Sequence, residues 1–421
     1  MAKPRLRRHA ERMKRIAGWE GLPGAMLLGA ALIALGWANS PWSGGYDAFC
    51  RMPIGVRVGP FAPLVSLQVL IDDLLMAVFF LQVGLEIKFE LTAGRLKTAR
   101  AAATPAIAAT GGMIAPIAIY AALAGRTGAA HGWGIAMATD IAFALGVMRA
   151  LGSRVPPAAT AFLTALAIID DLGAILVIGL FYGETVSPGA LGAAAAATAV
   201  LIALNWMGVR RLWPYLTIGA GLWCAVAMSG VHPTIAGVIL AMCVPGARRA
   251  SGDDAGDFLA VETHPDRGGD SPLRRLEHLL NPWVNFAILP IFALANAGLG
   301  FGGLGVAALA TPAAMGTALG LLIGKPVGVI GATLLAAWTG VGELPDGMAG
   351  RTLIGIGMLA GIGFTMSLFI AQLAFGFHSA MLEEAKLAIL AGSSLSALVG
   401  ALVLSLGDRG SRGRRLRITR P

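Results

Sequence analysis

Charge is what this chain has least of. Of its 421 residues, 13% are Asp, Glu, Lys or Arg and 56% are hydrophobic, whereas soluble domains carry about 25% charged residues. Whole stretches hold none: Ala101 to Gly125, Thr185 to Val209, Leu212 to Ala247, His278 to Gly324, Thr352 to Leu382 and Leu387 to Gly407. This composition belongs in a bilayer and excludes a set of soluble domains. Cysteine is scarce as well. Cys50, Cys224 and Cys243 show no paired spacing, so they read as small hydrophobes and not as a disulfide framework. Dinucleotide fingerprints, P-loops and zinc-ligand spacings are missing, which leaves no support for ATP-driven or redox chemistry, and no cofactor is expected. Residues 1–22 are too charged and have no small-residue cleavage site after a short apolar core, so they read as a cytoplasmic tail and not as a signal peptide.

What is present is apolar helix. A spanning helix needs about 20 mostly apolar residues. Each uncharged stretch therefore holds one crossing, and the two longest hold two, dividing near Ser229-Gly230 and in the glycine run from Gly298 to Gly305. Less clean segments at Pro23 to Trp37, Ser66 to Leu91, Gly132 to Arg149, Pro157 to Tyr182 and Lys325 to Trp338 supply the rest, the last joining a helix that begins near Pro312. The sequence thus predicts an all-α polytopic membrane protein of about twelve transmembrane helices. Its net charge of +9 raises the question of nucleic acid, and the placement of the charge answers it. All Lys and Arg except Arg51, Arg57, Arg126, Lys325 and Lys386 fall in alternate segments: 1–22, 88–101, 149–154, 210–211, 245–280, Arg351 and 408–421. That asymmetry follows the positive-inside rule with an even number of crossings. The partner is the lipid bilayer, with no nucleic acid, and both termini are expected in the cytoplasm.

The expected organisation is a cytoplasmic tail at 1–22, a membrane domain at 23–407 and a basic cytoplasmic tail at 408–421. Two loops interrupt the membrane domain. Residues 39–65, rich in Gly and Pro and alternating around Ile54 to Val58, predict a small periplasmic β-hairpin. Residues 246–275 predict a cytoplasmic loop, flexible where apolar residues are few.

Ionisable side chains inside a span are costly, so each is a functional candidate. Asp140, Asp170, Asp171 and Lys325 lie well inside apolar segments, while Asp72, Asp73 and Glu86 lie in or at the ends of the second helix. Asp170 and Asp171 are neighbours on one helix and point about 100° apart. One can line an aqueous funnel while the other meets a partner helix, where a cation such as Lys325 could neutralise it. A hard monovalent cation suits the carboxylates, hydroxyls and main-chain carbonyls of this region, whereas Mg2+ or Ca2+ would ask for more carboxylates. Glycines flank Thr139 and Asp140 in HGWGIAMATDIAFALG (131–146), and Gly361 and Gly363 interrupt the later span at GIGFTMSLF (361–369). Gly-interrupted spans in corresponding places of two halves point to a transport site built from broken helices. An acid near helix N-termini and a base near C-termini would be stabilised there, and Asp140 and Lys325 suit those roles.

Taken in order, DDLLMAVFFLQVGLEIKFEL (72–91), TDIAFALG (139–146), AIIDDLGAI (167–175), SGVHPTIAG (229–237), LEHLLNPWVNFAILPIFALANAG (276–298), GKPVG (324–328) and GIGFTMSLFIA (361–371) resemble the motifs of the NhaA family of Na+/H+ antiporters. The resemblance runs from about residue 20 to 406. It implies inverted-topology repeats with two broken, crossed helices in a bacterial inner membrane. It also implies exchange of Na+ and Li+ for H+, electrogenic and pH-regulated, serving intracellular pH and sodium homeostasis, by a homodimer joined through the hairpin region. By the same resemblance Asp171 is the principal Na+ ligand with Asp170 titrating beside it, Thr139 and Asp140 belong to the broken-helix assembly, and Lys325 balances helix ends or pairs with Asp170. Glu86 and Glu277 match acidic positions of the pH response, and His232 matches a histidine of that response. One departure is Asn281, where the best-known members carry a histidine that titrates near neutrality.

Other functions fit less well. Intramembrane aspartyl proteases also bury two Asp residues, but their GxGD signature is missing here. A Na+-coupled symporter of similar broken-helix build would need a roomy organic-substrate pocket, and a channel would not need two acids poised for competition.

Overall fold

The computed structural model describes residues 21–55, 64–183, 185–246, 271–303, 306–344, 347–348, 350–377 and 379–406. The two expected tails, most of the 246–275 loop and the hairpin tip at 56–63 lie outside the described residues.

The helices of eight or more residues, in chain order, are α1 (Leu22–Ala38), α2 (Ser43–Cys50), α3 (Met76–Thr92), α4 (Ala99–Ala124), α5 (Ile141–Leu151), α6 (Pro157–Phe181), α7 (Pro188–Trp206) and α8 (Leu212–Ala227). They continue with α9 (Ile235–Cys243), α10 (Pro272–Trp283), α11 (Leu289–Asn296), α12 (Pro312–Leu319), α13 (Lys325–Thr339), α14 (Arg351–Ala360), α15 (Phe364–Phe375) and α16 (Ala380–Ser405). Single π turns lie at Ile71–Leu75, Val284–Ile288 and Gly320–Gly324, and a 3-10 segment spans Ala130–Met137. Local chemistry sets many of the starts. Proline opens α1, α7, α10 and α12, where its missing N–H costs nothing. Ser271, Thr311 and Ser379 cap α10, α12 and α16 through their hydroxyls.

Among the described residues, eight helical segments are long and apolar enough to cross a membrane: 101–124, 130–151, 157–181, 188–206, 272–296, 312–339, 351–375 and 380–405. The pair α1 and α2, bent by 118°, would make a ninth. Helix α8 is shorter, with 16 residues, and α9 has nine. Helix α3 carries Glu86, Lys88 and Glu90 among its apolar residues.

The expected hairpin is narrower than the loop that was to form it. Strands β1 (Pro53–Gly55) and β2 (Leu64–Ser66) pair antiparallel with Ile54 opposite Val65, but residues 43–50, inside the same expected loop, are the helix α2. Tertiary contact explains it. The buried Tyr46 hydroxyl lies 3.0 and 2.9 Å from the carbonyls of Leu294 and Ala295 and accepts the Gly298 N–H at 3.2 Å. The segment is thus held to the end of α11 despite two glycines that disfavour a helix.

The chain divides into two compact units, residues 1–51, 103–174 and 289–421 in one and 52–102 and 175–288 in the other. In the first, α4 packs closely on the segment 320–339. A Cβ on Gly328 would lie 2.1 Å from the Gly111 carbonyl oxygen, so only glycine permits this approach. The helix α15 is buried at every residue from Phe364 to Gln372. In the second unit α3 packs on α9, where a Cβ on Gly237 would meet the Ala77 carbonyl oxygen at 2.1 Å. Around that contact gather Leu81, Leu85, Leu201, Tyr215, Leu222 and Leu240.

Polarity runs opposite to that of a soluble protein. Leu180, Leu398 and Trp206 are 76%, 68% and 87% exposed, whereas Thr139, Asp140, Asp170, Asp171 and Lys325 are all buried. Exposed large apolar side chains and buried ionisable ones are what hydrocarbon solvent demands.

Candidate functional site

The first unit gathers the site at two interrupted helices. One interruption is Ala138-Thr139-Asp140, between the 3-10 segment and α5; the other is Gly361-Ile362-Gly363, between α14 and α15. They are bonded to each other. The Asp140 N–H donates to the Ile362 carbonyl at 2.7 Å, and the Thr139 hydroxyl donates to the Ala360 carbonyl, the last residue of α14, at 2.8 Å. Ser367 of α15 donates its hydroxyl to the Ile135 carbonyl at 2.7 Å. Free backbone groups at a helix break must find partners when buried, and here each break supplies them to the other.

Asp140 serves two helix N-termini at once. Its Oδ1 accepts the Phe143 N–H at 2.9 Å at the start of α5, and its Oδ2 accepts the Thr365 N–H at 3.1 Å and the Thr365 hydroxyl at 2.5 Å at the start of α15. Both starts present partial positive charge, and a carboxylate is the group that stabilises it.

Lys325 meets the opposite end. Its ammonium donates to the carbonyl of Met137, the last residue of the 3-10 segment, and to both oxygens of Asp170, at 2.8 and 2.6 Å. Both side chains are fully buried. The π turn Gly320–Gly324 directly precedes Lys325, and Gly112 of α4 faces the following helix, where an added Cβ would meet Val329 Cγ2 at 2.7 Å. Asp171, next along α6, is 1% exposed and within electrostatic range of Lys325. Of the two adjacent acids, Asp170 is thus the one that meets the cation. Hydroxyls, carbonyls and carboxylates, the oxygen donors a hard cation takes, thus meet at the two helix breaks and at Lys325.

The remaining candidates lie in the second unit and are not gathered into that cluster. Glu277 of α10 accepts two hydrogen bonds from the Arg274 guanidinium, at 3.1 and 2.9 Å, and that guanidinium lies 4.1 Å from the Phe89 ring centre. Glu86 of α3 is half-buried within the field of Glu277, Glu90 and Arg274. His232, in the turn between α8 and α9, has Nε2 3.9 Å from Asp73 Oδ1 and Nδ1 2.8 Å from the Thr234 hydroxyl. Burial pulls its imidazole down to about 4, so the ring is neutral at physiological pH in this state. Asn281 accepts a hydrogen bond from the Asn285 side chain one turn on.

Thr365 carries no signal of its own in the sequence, since a threonine in an apolar helix is ordinary and only the preceding glycines mark the break. The carbonyls of Met137 and Ala360 could not have been found, since any residue carries one.

Buried acids and a buried lysine at two mutually bonded helix breaks, inside a bundle with an apolar exterior, define an ion-coupled membrane transporter. Comparison with known proteins narrows the class. Residues 14–404 match the model of the family described as Na+/H+ antiporter 1. A Na(+)/H(+) antiporter NhaA of Rhodospirillum rubrum is 49% identical over 391 residues, covering 92% of this chain and 95% of that protein. The protein of that name in Caulobacter vibrioides is 49% identical over 388 residues, 92% and 88% of the two chains. The Na(+)/H(+) antiporter NhaA 1 of Klebsiella pneumoniae is 47% identical over 384 residues, 90% and 93%. The chain belongs to the NhaA family of Na+/H+ antiporters: a multi-pass membrane transporter of Na+ and H+, and not an enzyme.

Proposed function

We propose that the protein exports Na+, and Li+ with it, across the bacterial inner membrane in exchange for protons, at a site centred on Asp170 and Asp171. The carrying observation is the Lys325–Asp170 pair, fully buried beside a second buried carboxylate. In this state Lys325 occupies Asp170. When Na+ enters, Asp171 is its principal ligand, Asp170 leaves the lysine to assist, and protons depart. Returning protons expel the cation, and alternating exposure turns this competition into exchange. Asp140 and Thr139 hold the broken-helix assembly around the ion. More protons than cations per cycle makes transport electrogenic, so a potential negative inside drives Na+ out.

The finer architecture belongs to the same reading: twelve crossings arranged as inverted repeats, with α3, α8, α9 and the α1 region added to the eight long segments, and both termini in the cytoplasm. A homodimer forms through the β1–β2 hairpin, whose edge has unpaired backbone groups to offer a twofold mate. Glu86, Glu277 and His232 tune the response to pH, and His232 takes up a proton near neutrality only in a state that exposes its ring. The activity serves pH and sodium homeostasis.

Everted membrane vesicles loaded with a pH dye test the function: Na+ or Li+ should dequench the dye and K+ should not. Calorimetric Na+ binding should weaken as pH falls, and Asp171→Asn should abolish exchange. Affinity independent of pH, or normal exchange by the variant, overturns the mechanism.

A further inference from the structure

The start of α15 is capped from outside. Its N-cap is Gly363, which has no side chain to offer, yet its first N–H groups are buried and require acceptors. One oxygen takes two of them. Ser393 Oγ, on α16, accepts the N–H of Gly363 and that of Phe364, both at 3.2 Å. The next donor, the Thr365 N–H, goes to Asp140 Oδ2. A serine of α16 and the Asp140 carboxylate therefore divide this helix end between them.

We propose that Ser393 is a positioning residue for Na+ binding. By engaging Gly363 and Phe364 it fixes the end of α15, so that Thr365 alone presents its N–H and hydroxyl to Asp140. The inference rests on the reading of Asp140 as part of the ion-binding assembly. Without the Ser393 oxygen, two buried donors turn toward the nearest carboxylate and draw Asp140 away from its place in the site. Ser396, three residues on, supplies an internal contrast. It is fully buried on the same helix, and its hydroxyl stands beside Gly361, where an added Cβ would lie 2.8 Å away. Its hydroxyl has no hydrogen-bond partner among the described residues. The two serines share chemistry and burial and differ in whether they hold the break.

The experiment titrates Na+ at fixed pH in everted vesicles carrying the parent, Ser393→Ala, Ser393→Cys or Ser396→Ala. Both Ser393 variants should raise the half-saturating Na+ concentration about threefold or more with maximal response within about twofold, and Ser396→Ala should match the parent. A merely structural loss lowers the amount of working protein, hence the maximum, and leaves half-saturation alone. If Ser393→Ala does not accumulate in the membrane, Ser393→Cys decides by the same criterion, since it keeps the shape and weakens the acceptor. A smaller rise than about threefold in the Ser393 variants, or an equal rise in Ser396→Ala, overturns the proposal. Failure of the underlying reading shows elsewhere: Asp140→Asn would then leave half-saturation at the parent value.

Discussion

The ionisable groups of the first unit and those of the second are held in different ways. Asp140, Asp170 and Lys325 are fully or almost fully buried, and each ends in two or more hydrogen bonds to helix ends or to one another. In the second unit Arg274 and Glu277 are 38% and 15% exposed, and His232 faces an Asp73 that is 31% exposed. Burial makes the first set inseparable from stability, because a charge left there without its counterpart has no water to turn to. Solvent reaches the Arg274–Glu277 pair and Asp73, so losing one of those partners costs little stability. Ion binding in the first set is thus tied to the integrity of the fold, whereas the partly exposed pair of the second set is not.

The strongest way to break this comparison is Lys325→Ala. It should lower stability by about 3–5 kcal/mol, read as a large drop in melting temperature of the purified protein, with altered apparent Na+ affinity. The double change Lys325→Met with Asp170→Leu should recover most of the melting temperature while remaining inactive. No recovery would mean that lost packing, and not the stranded carboxylate, sets the cost. Asp140→Asn comes next. The amide keeps the size but loses the charge at two helix starts, and should cost about 1–3 kcal/mol together with Na+ affinity. A variant that melts like the parent would remove Asp140 from the set of structural charges.

In the second unit, Arg274→Ala should change melting by no more than about 1 kcal/mol, its charge being partly exposed, yet shift the pH profile of exchange by releasing Glu277. A large melting change with an unmoved profile would erase the contrast between the units. The smallest effect at neutral pH is expected of His232→Gln, which should melt like the parent at pH 7.5. The folded His232 sits at about 4 against 6.5 for a free imidazole, so the unfolded chain binds the proton first. Stability from the neutral ring is therefore complete above 6.5 and lost as pH falls from 6.5 toward 4. Thermal melts across that window should show a flatter fall for His232→Gln than for the parent.

Much of this was legible beforehand, and the reason differs from residue to residue. Asp140, Asp170, Asp171 and Lys325 stood out because a charge in an apolar run is rare and costly, a property of the residue and its neighbours in sequence. The glycines at 361 and 363 marked a break for an equally local reason. Helix α2 did not show, since the local signal of Ser43, Gly44 and Gly45 favours a loop and its anchor, Tyr46, depends on carbonyls about 250 positions away. Ser393 did not show either. A serine in a small-residue helix looks the same whether it holds a helix end, as Ser393 does, or stands beside a glycine, as Ser396 does.

By itself the sequence determined that the chain crosses a bilayer many times, which ionisable residues are held inside it, and which family it resembles, because hydropathy and motif order are properties of the linear chain. Only the tertiary structure decided that Lys325 meets Asp170, that one carboxylate serves two helix starts, and that a serine on α16 completes the second break. Hydrogen bonding operates over about 3 Å, and partners 155, 225 and 30 residues apart come within that distance only when the helices have packed.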